Sequence, residues 1–164
     1  MSTTEVSSHD ASRTASVKNL DMKLEVIVIP VSDVDRAKEF YGSLGWRLDA
    51  DVAAGDHFHL IQFTPPGSGL RVLGSTWHNL TSATPGSAQA LYLIVSDVQA
   101  VRDEVVGDGV EVSDVFHEAT PGARFQQAAN GRASGPAPHH GSYRSFASFR
   151  DPDGKSRGTS CTFA

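Results

Sequence analysis

The 164-residue chain predicts an α+β fold: two tandem βαβββ modules forming a curled mixed sheet around a shared cleft. Three observations predict it. The tetrapeptide Val-Ser-Asp-Val occurs at 31–34 and again at 95–98. An apolar, β-like run precedes each copy, Leu24 to Ile29 and Ala90 to Ile94. A glycine follows each motif aspartate by twelve residues, Gly45 after Asp33 and Gly109 after Asp97. Strand, helix start and helix stop therefore recur at one spacing, the signature of one supersecondary unit used twice.

The first module begins with Leu24 to Pro30, which is almost wholly apolar and reads as a strand covered on both faces. Ser32 or Asp33 then caps a helix, because a short oxygen side chain accepts from the free amides of a first turn. Val34, Ala37, Phe40, Tyr41 and Leu44 recur at helical spacing, with Asp35, Arg36, Lys38 and Glu39 on the other side. Gly45 stops the helix in the left-handed conformation. Trp46 to Val52 alternates apolar and polar residues, as a half-exposed strand does. Ala53 to Asp56 reads as a turn and His57 to Thr64 as a strand. The loop Pro65 to Gly69 and a short strand, Leu70 to Leu73, complete the unit.

A polar linker, Gly74 to Gln89, joins the modules and contains Trp77-His78. The second module repeats the order. Strand Ala90 to Val95 leads to a helix with Val98, Val101 and Val105 on one face, stopped by Gly107 and Gly109. Val110 to Phe116 reads as the next strand, and His117 to Gly141 as a long loop-like insertion. Tyr143 to Phe149 alternates as a strand before the turn Asp151-Pro152-Asp153-Gly154. The last segment, Lys155 to Ala164, is polar and reads as a weakened edge strand whose exposed neighbour invites dimer pairing or aggregation. Residues 1–21 are expected as a disordered tail, with Met22 an alternative start. Residues 22–164 form one domain, module 1 over about 22–75 and module 2 over about 88–164.

Composition narrows the function classes. The net charge of −5 and scattered basic residues argue against nucleic acid as partner. No window reaches the roughly 18 apolar residues of a membrane helix, so no membrane partner is expected. One cysteine, Cys161, leaves no disulfide framework and suits a cytoplasmic setting. Phosphate-binding loops and nucleophile elbows are absent from the sequence.

Two βαβββ units, the Ile29-Pro30-Val31-Ser32-Asp33 helix start, the Phe40-Tyr41 pair and the Phe149-Arg150-Asp151-Pro152-Asp153-Gly154 turn resemble the vicinal oxygen chelate superfamily. That group includes glyoxalase I, bleomycin-resistance proteins and extradiol dioxygenases. The resemblance covers about Leu24 to Gly154. It implies a cleft that, in the enzymes, holds a divalent metal on His, Glu or Gln side chains. The corresponding positions here are Val26, Ala90, a residue near Gly158, and Arg71 or Val72. None of these can bind a divalent cation. The resemblance also implies a homodimer.

Other residues can still contribute polar contacts. His57 and His59 share a strand face. His117-Glu118 and His139-His140 bracket the insertion, with Tyr143 close by. The candidate substrate-binding residues are His59, Trp77, His117, His139, His140 and Tyr143. No catalytic residue is assigned and no cofactor is predicted. The first functional reading is a glyoxalase/bleomycin-resistance-like protein that binds a small organic molecule without the usual metal. The alternative is a metal-dependent lyase or dioxygenase with a relocated site, its donors drawn from His57, His59, His117, Glu118, His139 and His140.

Overall fold

The computed structural model describes residues 24–55, 58–75, 82–88, 91–122, 131–139, 143–155 and 160–164. The tail expected over 1–21 lies outside the described residues. Module 1 comprises β1 (Val26–Pro30), α1 (Val34–Ser43), β2 (Arg47–Ala54), β3 (Phe58–Thr64) and β4 (Arg71–Ser75). Module 2 comprises β5 (Leu91–Leu93), α2 (Val98–Gly107), β6 (Phe116–Glu118), β7 (Arg132–Ser134), β8 (Ser145–Arg150) and β9 (Ser160–Phe163).

The sequence repeat is reproduced in cap geometry. Asp33 and Asp97 keep extended backbone, with φ of −145° and −144°. Each carboxylate accepts from the amide three residues on, Arg36 or Ala100, at 3.0 Å. This satisfies an otherwise orphan donor of the first turn. At the far end Gly45 and Gly109 have φ of +71° and +88°. The next amide, of Trp46 or Val110, reaches back to the carbonyl of Tyr41 or Val105 at 3.2 Å in both copies. That closure needs a left-handed residue, which glycine adopts without a Cβ clash.

The strands form a four-stranded sheet, β1-β4-β3-β2, and a five-stranded sheet, β5-β9-β8-β6-β7. β1 with β4 and β5 with β9 are parallel, and the other pairs are antiparallel. Both sheets are therefore mixed. Module 2 repeats the strand order of module 1 with β7 added at its edge.

Four sequence expectations are corrected. The strand expected over Val110 to Phe116 begins only at Phe116; Val112 makes a single isolated bridge with Phe149. The reason is local. The Ser113 hydroxyl accepts from the Ser148 amide at 2.9 Å, so a side chain replaces a main-chain ladder partner. The insertion is not all loop, since β7 pairs with β6. The last strand is not an edge: β9 lies between β5 and β8. Its polar run precedes the strand, while Thr162, Phe163 and Ala164 are buried. Finally, β1 is an edge strand covered on one face, with Ile29 buried and Val26 41% exposed.

Each helix covers the outer face of its own sheet. Val34, Ala37 and Tyr41 of α1 pack with Ile29, Ile61, Phe63 and Val72. Val105 of α2 packs with Ala147, Phe149 and Phe163. Phe40 and Leu44 of α1 and Leu91 and Leu93 of β5 pack against both clusters, so the modules share a seam. One side of the seam is clamped by the turn after β8. Asp153 accepts from the Ser32 amide at 2.9 Å and the Arg36 guanidinium at 2.5 Å. The Tyr41 hydroxyl donates to Asp151 at 3.3 Å. Gly86 passes beneath this turn. A Cβ there would stand 2.8 Å from the Asp153 carbonyl oxygen, and φ is +73°, so only glycine fits. No helix among the described residues is long and apolar enough to cross a membrane.

Candidate ligand-binding site

Strand alternation and ladder register define the inner face of the first sheet, opposite α1. Ile61, Phe63 and Val72 are buried in the cluster under α1, so their neighbours along the strands point inward. Val26 pairs in register with Arg71, Val28 with Leu73, and Gln62 with Leu73. Leu60 pairs with Val52 and Thr64 with Arg47. The inner face thus presents Val26, Val28, Leu60, Leu73 and Val52, with Val52 48% exposed. It is a largely apolar surface, with Gln62 among its residues, on the side of the sheet away from α1.

A polar cluster borders it. The register of β2 shifts between Leu48 and Ala50, a bulge that re-aims Asp49. Asp49 accepts from the Thr64 hydroxyl and, at 2.7 Å, from Arg47 Nε. Arg71 Nε stands 4.0 Å from the same carboxylate, and Arg71 Nη1 lies 3.4 Å from Glu25. The hydrogen bond from Thr64, then that from Arg47, holds Asp49 below the ordinary carboxylate value of 3.8. The folded value is depressed, so this contribution to stability is present above 3.8 and is lost as pH falls through the folded value. Thr64→Val removes the leading cause. Carboxyl NMR titration of that variant is expected to return Asp49 toward 3.8. An unchanged titration would refute the Thr64 assignment.

The second sheet has a filled inner face. Phe116 and Phe146, 5.7 Å apart, cluster with Ala164 and Tyr92, and Phe146 is fully buried. The Arg132 guanidinium lies 4.4 Å above the Phe116 ring, a cation–π arrangement. The two modules share a fold but not an available surface.

The histidines predicted as contacts lie elsewhere. His59 is on the same side of β3 as Ile61, the outer face, and bonds Asp51 at 2.8 Å. Lys38 of α1 donates to the same carboxylate at 2.5 Å. Lys38, then His59, hold Asp51 below its ordinary value. His117 Nδ1 donates to the Gly135 carbonyl at 2.9 Å and points away from Phe116 and Glu118. His139 is exposed, and Tyr143 is half-exposed with φ of +57°. Trp77, His140 and His57 lie outside the described residues. The structure therefore places His59 on the sheet of module 1, and His117, His139 and Tyr143 in module 2. Sequence reasoning did not single out Asp49, since a bulge breaks the alternation by which a strand is read. Arg71 was in view only as one of two residues at a metal-ligand position.

The structure resolves that ambiguity and tests the fit to a metal. Val72 is buried in the core, so Arg71 is the inner-face residue beside Val26. A valine and a guanidinium do not fit a divalent cation: one lacks donors and the other carries positive charge. Ala90 and Gly158 lie outside the described residues. Of the donors weighed for a relocated site, His59 is on one sheet and His117 and Glu118 are on the other, pointing to opposite faces of β6. Among the described residues, no three His, Cys, Asp or Glu side chains group to hold a metal ion.

Comparison with known proteins agrees with this architecture. The chain is similar to TnmS3, an antibiotic binding protein from Streptomyces sp. CB03234, at 27% identity and a TM-score of 0.60. The alignment covers 87% of this chain and 94% of that one. A glyoxalase/bleomycin resistance protein from the same organism aligns at 27% identity and a TM-score of 0.58, covering 86% and 98%. A superfamily member from Sphaerobacter thermophilus DSM 20745, at 20% identity and a TM-score of 0.58 over 87% and 96%, shares the fold. No curated protein matches the chain. The model of one family matches residues 23–155, and on this the chain belongs to the Glyoxalase/Bleomycin resistance protein/Dioxygenase superfamily.

Proposed function

We propose that this protein binds an apolar or aromatic small molecule against the inner face of the first sheet, without a divalent metal. The observation that carries the reading is that face itself. Val26 and Val52 are 41% and 48% exposed beside Val28, Leu60 and Leu73. Arg71 and Asp49 supply polar contacts at its border. An apolar wall with a few convergent polar groups is what a ligand site requires. The similarity to an antibiotic binding protein supports a small organic ligand. A second copy of the chain is the proposed cover for this face, in a homodimer. The single cysteine is consistent with a cytoplasmic home. His139 and Tyr143, on the second module, are proposed as contacts contributed from the partner copy.

Calorimetric titration with a panel of aromatic ligands, with and without EDTA, tests the reading. The expected result is unchanged affinity in EDTA. Val26→Lys places a charge in the apolar wall without disturbing the core. It is expected to weaken binding about tenfold, the equivalent of roughly 1.4 kcal/mol of lost contact and added desolvation. A strict requirement for metal would return the lyase or dioxygenase reading.

A further inference from the structure

We infer a second ligand site, specific for an organic cation, in the seam between the modules beside the turn Pro65 to Ser68. The repeat shows how this side differs from its counterpart. At the repeat offset, Phe40, Tyr41 and Leu44 of α1 correspond to Glu104, Val105 and Asp108 of α2. The two aromatic rings and the leucine of α1 pack into the core at the seam. Their counterparts in α2 are a smaller valine and two carboxylates.

The clamp is one-sided as well. Phe149 and Phe63 stand at equivalent ladder positions, so Asp151 and Asp153 correspond to Pro65 and Gly67. Arg36 corresponds to Ala100. Gly67 and Ala100 have no side chains with which to repeat the Asp153–Arg36 ion pair. The turn Pro65 to Ser68, without that ion pair, stands over a cavity of about 610 Å³. That volume lies within the range of small-molecule sites, ~300–1,000 Å³.

The walls select the ligand. Trp46, Val72, Leu91, Leu93 and Phe163 form an apolar floor. Glu104 and Asp108 are the charged side chains of the lining, which among the described residues contains no Lys, Arg or His. Both helices also end here, through Ser43 to Gly45 of α1 and Val105 to Asp108 of α2. Neither has a basic residue in its last turn. Each helix C-terminus carries a partial negative charge of about half an electron. Two carboxylates and two helix ends over an apolar floor favour a body of fused or branched hydrocarbon bearing one delocalised or ammonium charge. This site is separate from the inner face of the first sheet, since Val72 and Leu93 belong to the helix-covered side.

The probe is rhodamine 6G, a cationic fluorophore, with fluorescein as its anionic counterpart, each titrated by fluorescence anisotropy against the full chain. Rhodamine 6G is expected to bind one per chain, and fluorescein at least about tenfold more weakly. Its affinity should fall as NaCl is raised, because salt screens exposed charge pairs. Glu104→Gln/Asp108→Asn replaces two exposed carboxylates without touching the core. The expected loss is about tenfold, from two pairs each of modest strength. A second variant, Glu104→Phe/Asp108→Leu, installs the α1 residues and should abolish binding by filling the cavity. Circular dichroism melts verify that both variants fold. Equal affinity for the two dyes overturns the inference, as does no binding of rhodamine 6G. Affinity that survives both seam variants but falls in Val26→Lys overturns it too, by placing the cation on the inner face of the first sheet.

Discussion

Deletion of residues 160–164 is expected to unfold the second module and, through the shared seam, most of the chain. The segment is short, but β9 is hydrogen-bonded on both sides, parallel to β5 and antiparallel to β8. Its loss exposes two ladder edges at once, and buried main-chain groups without partners are costly. It also removes Phe163, which is buried and stacks on Phe149 with ring centroids 5.0 Å apart. Truncating one such aromatic costs about 3–5 kcal/mol. That alone is comparable to the lower end of the 5–15 kcal/mol stability typical of a domain. Phe163→Ala is the graded companion, expected to lower the melting temperature by roughly 10 °C at a few degrees per kcal/mol. In the intact chain, amides of Thr162 and Phe163 should exchange as slowly as those of β1. A cooperative melt of the truncated chain at the original temperature would reject the central placement of β9.

What could be read from the sequence divides along physical lines. Helix caps are local: Asp33, Gly45, Asp97 and Gly109 each act within a few residues of themselves, so their repeat spacing was visible and the modules with it. Strand position in a sheet is not local. Thr162 and Phe163 owe their burial to β5 and β8, and Arg132–Ser134 forms a strand only because β6 offers it an edge. Neither shows in residue type. The apolar run of β1 was read as covered on both faces. Composition reports that a surface is apolar; it does not say whether the cover is this chain, a second copy or a ligand. The same limit applies to the candidate site. Alternation tells that His57 and His59 share a face. Only the packing of Ile61 against α1 shows that His59 faces outward, toward Asp51 and Lys38.

Tyr41→Ala is expected to destabilise the protein by about 3–5 kcal/mol, the usual cost of a large aromatic lost from a core. The residue is buried and ties α1 to β3 and to the turn before β2. Its ring stacks on Trp46 at 4.8 Å, meets Phe40 edge-on at 5.3 Å and approaches Phe63 at 6.0 Å. Its hydroxyl crosses the seam to Asp151. The ring and the hydroxyl can be separated. Tyr41→Phe keeps the packing and removes one hydrogen bond to a buried carboxylate, which costs about 1–3 kcal/mol. A double-mutant cycle with Asp151→Asn should then show a coupling above about 0.5 kcal/mol, as expected for contacting residues. The repeat explains why this coupling runs one way. Val105 takes the place of Tyr41 in α2 and carries no hydroxyl, so module 2 sends no matching bond into module 1. The hydrogen-bonded tie at the seam is thus concentrated in Tyr41 and Arg36 of α1 and in Ser32 just before its cap. If Tyr41→Phe and Asp151→Asn prove additive in urea unfolding, the hydroxyl does not tie the modules together, and the one-sided clamp rests on Asp153 alone.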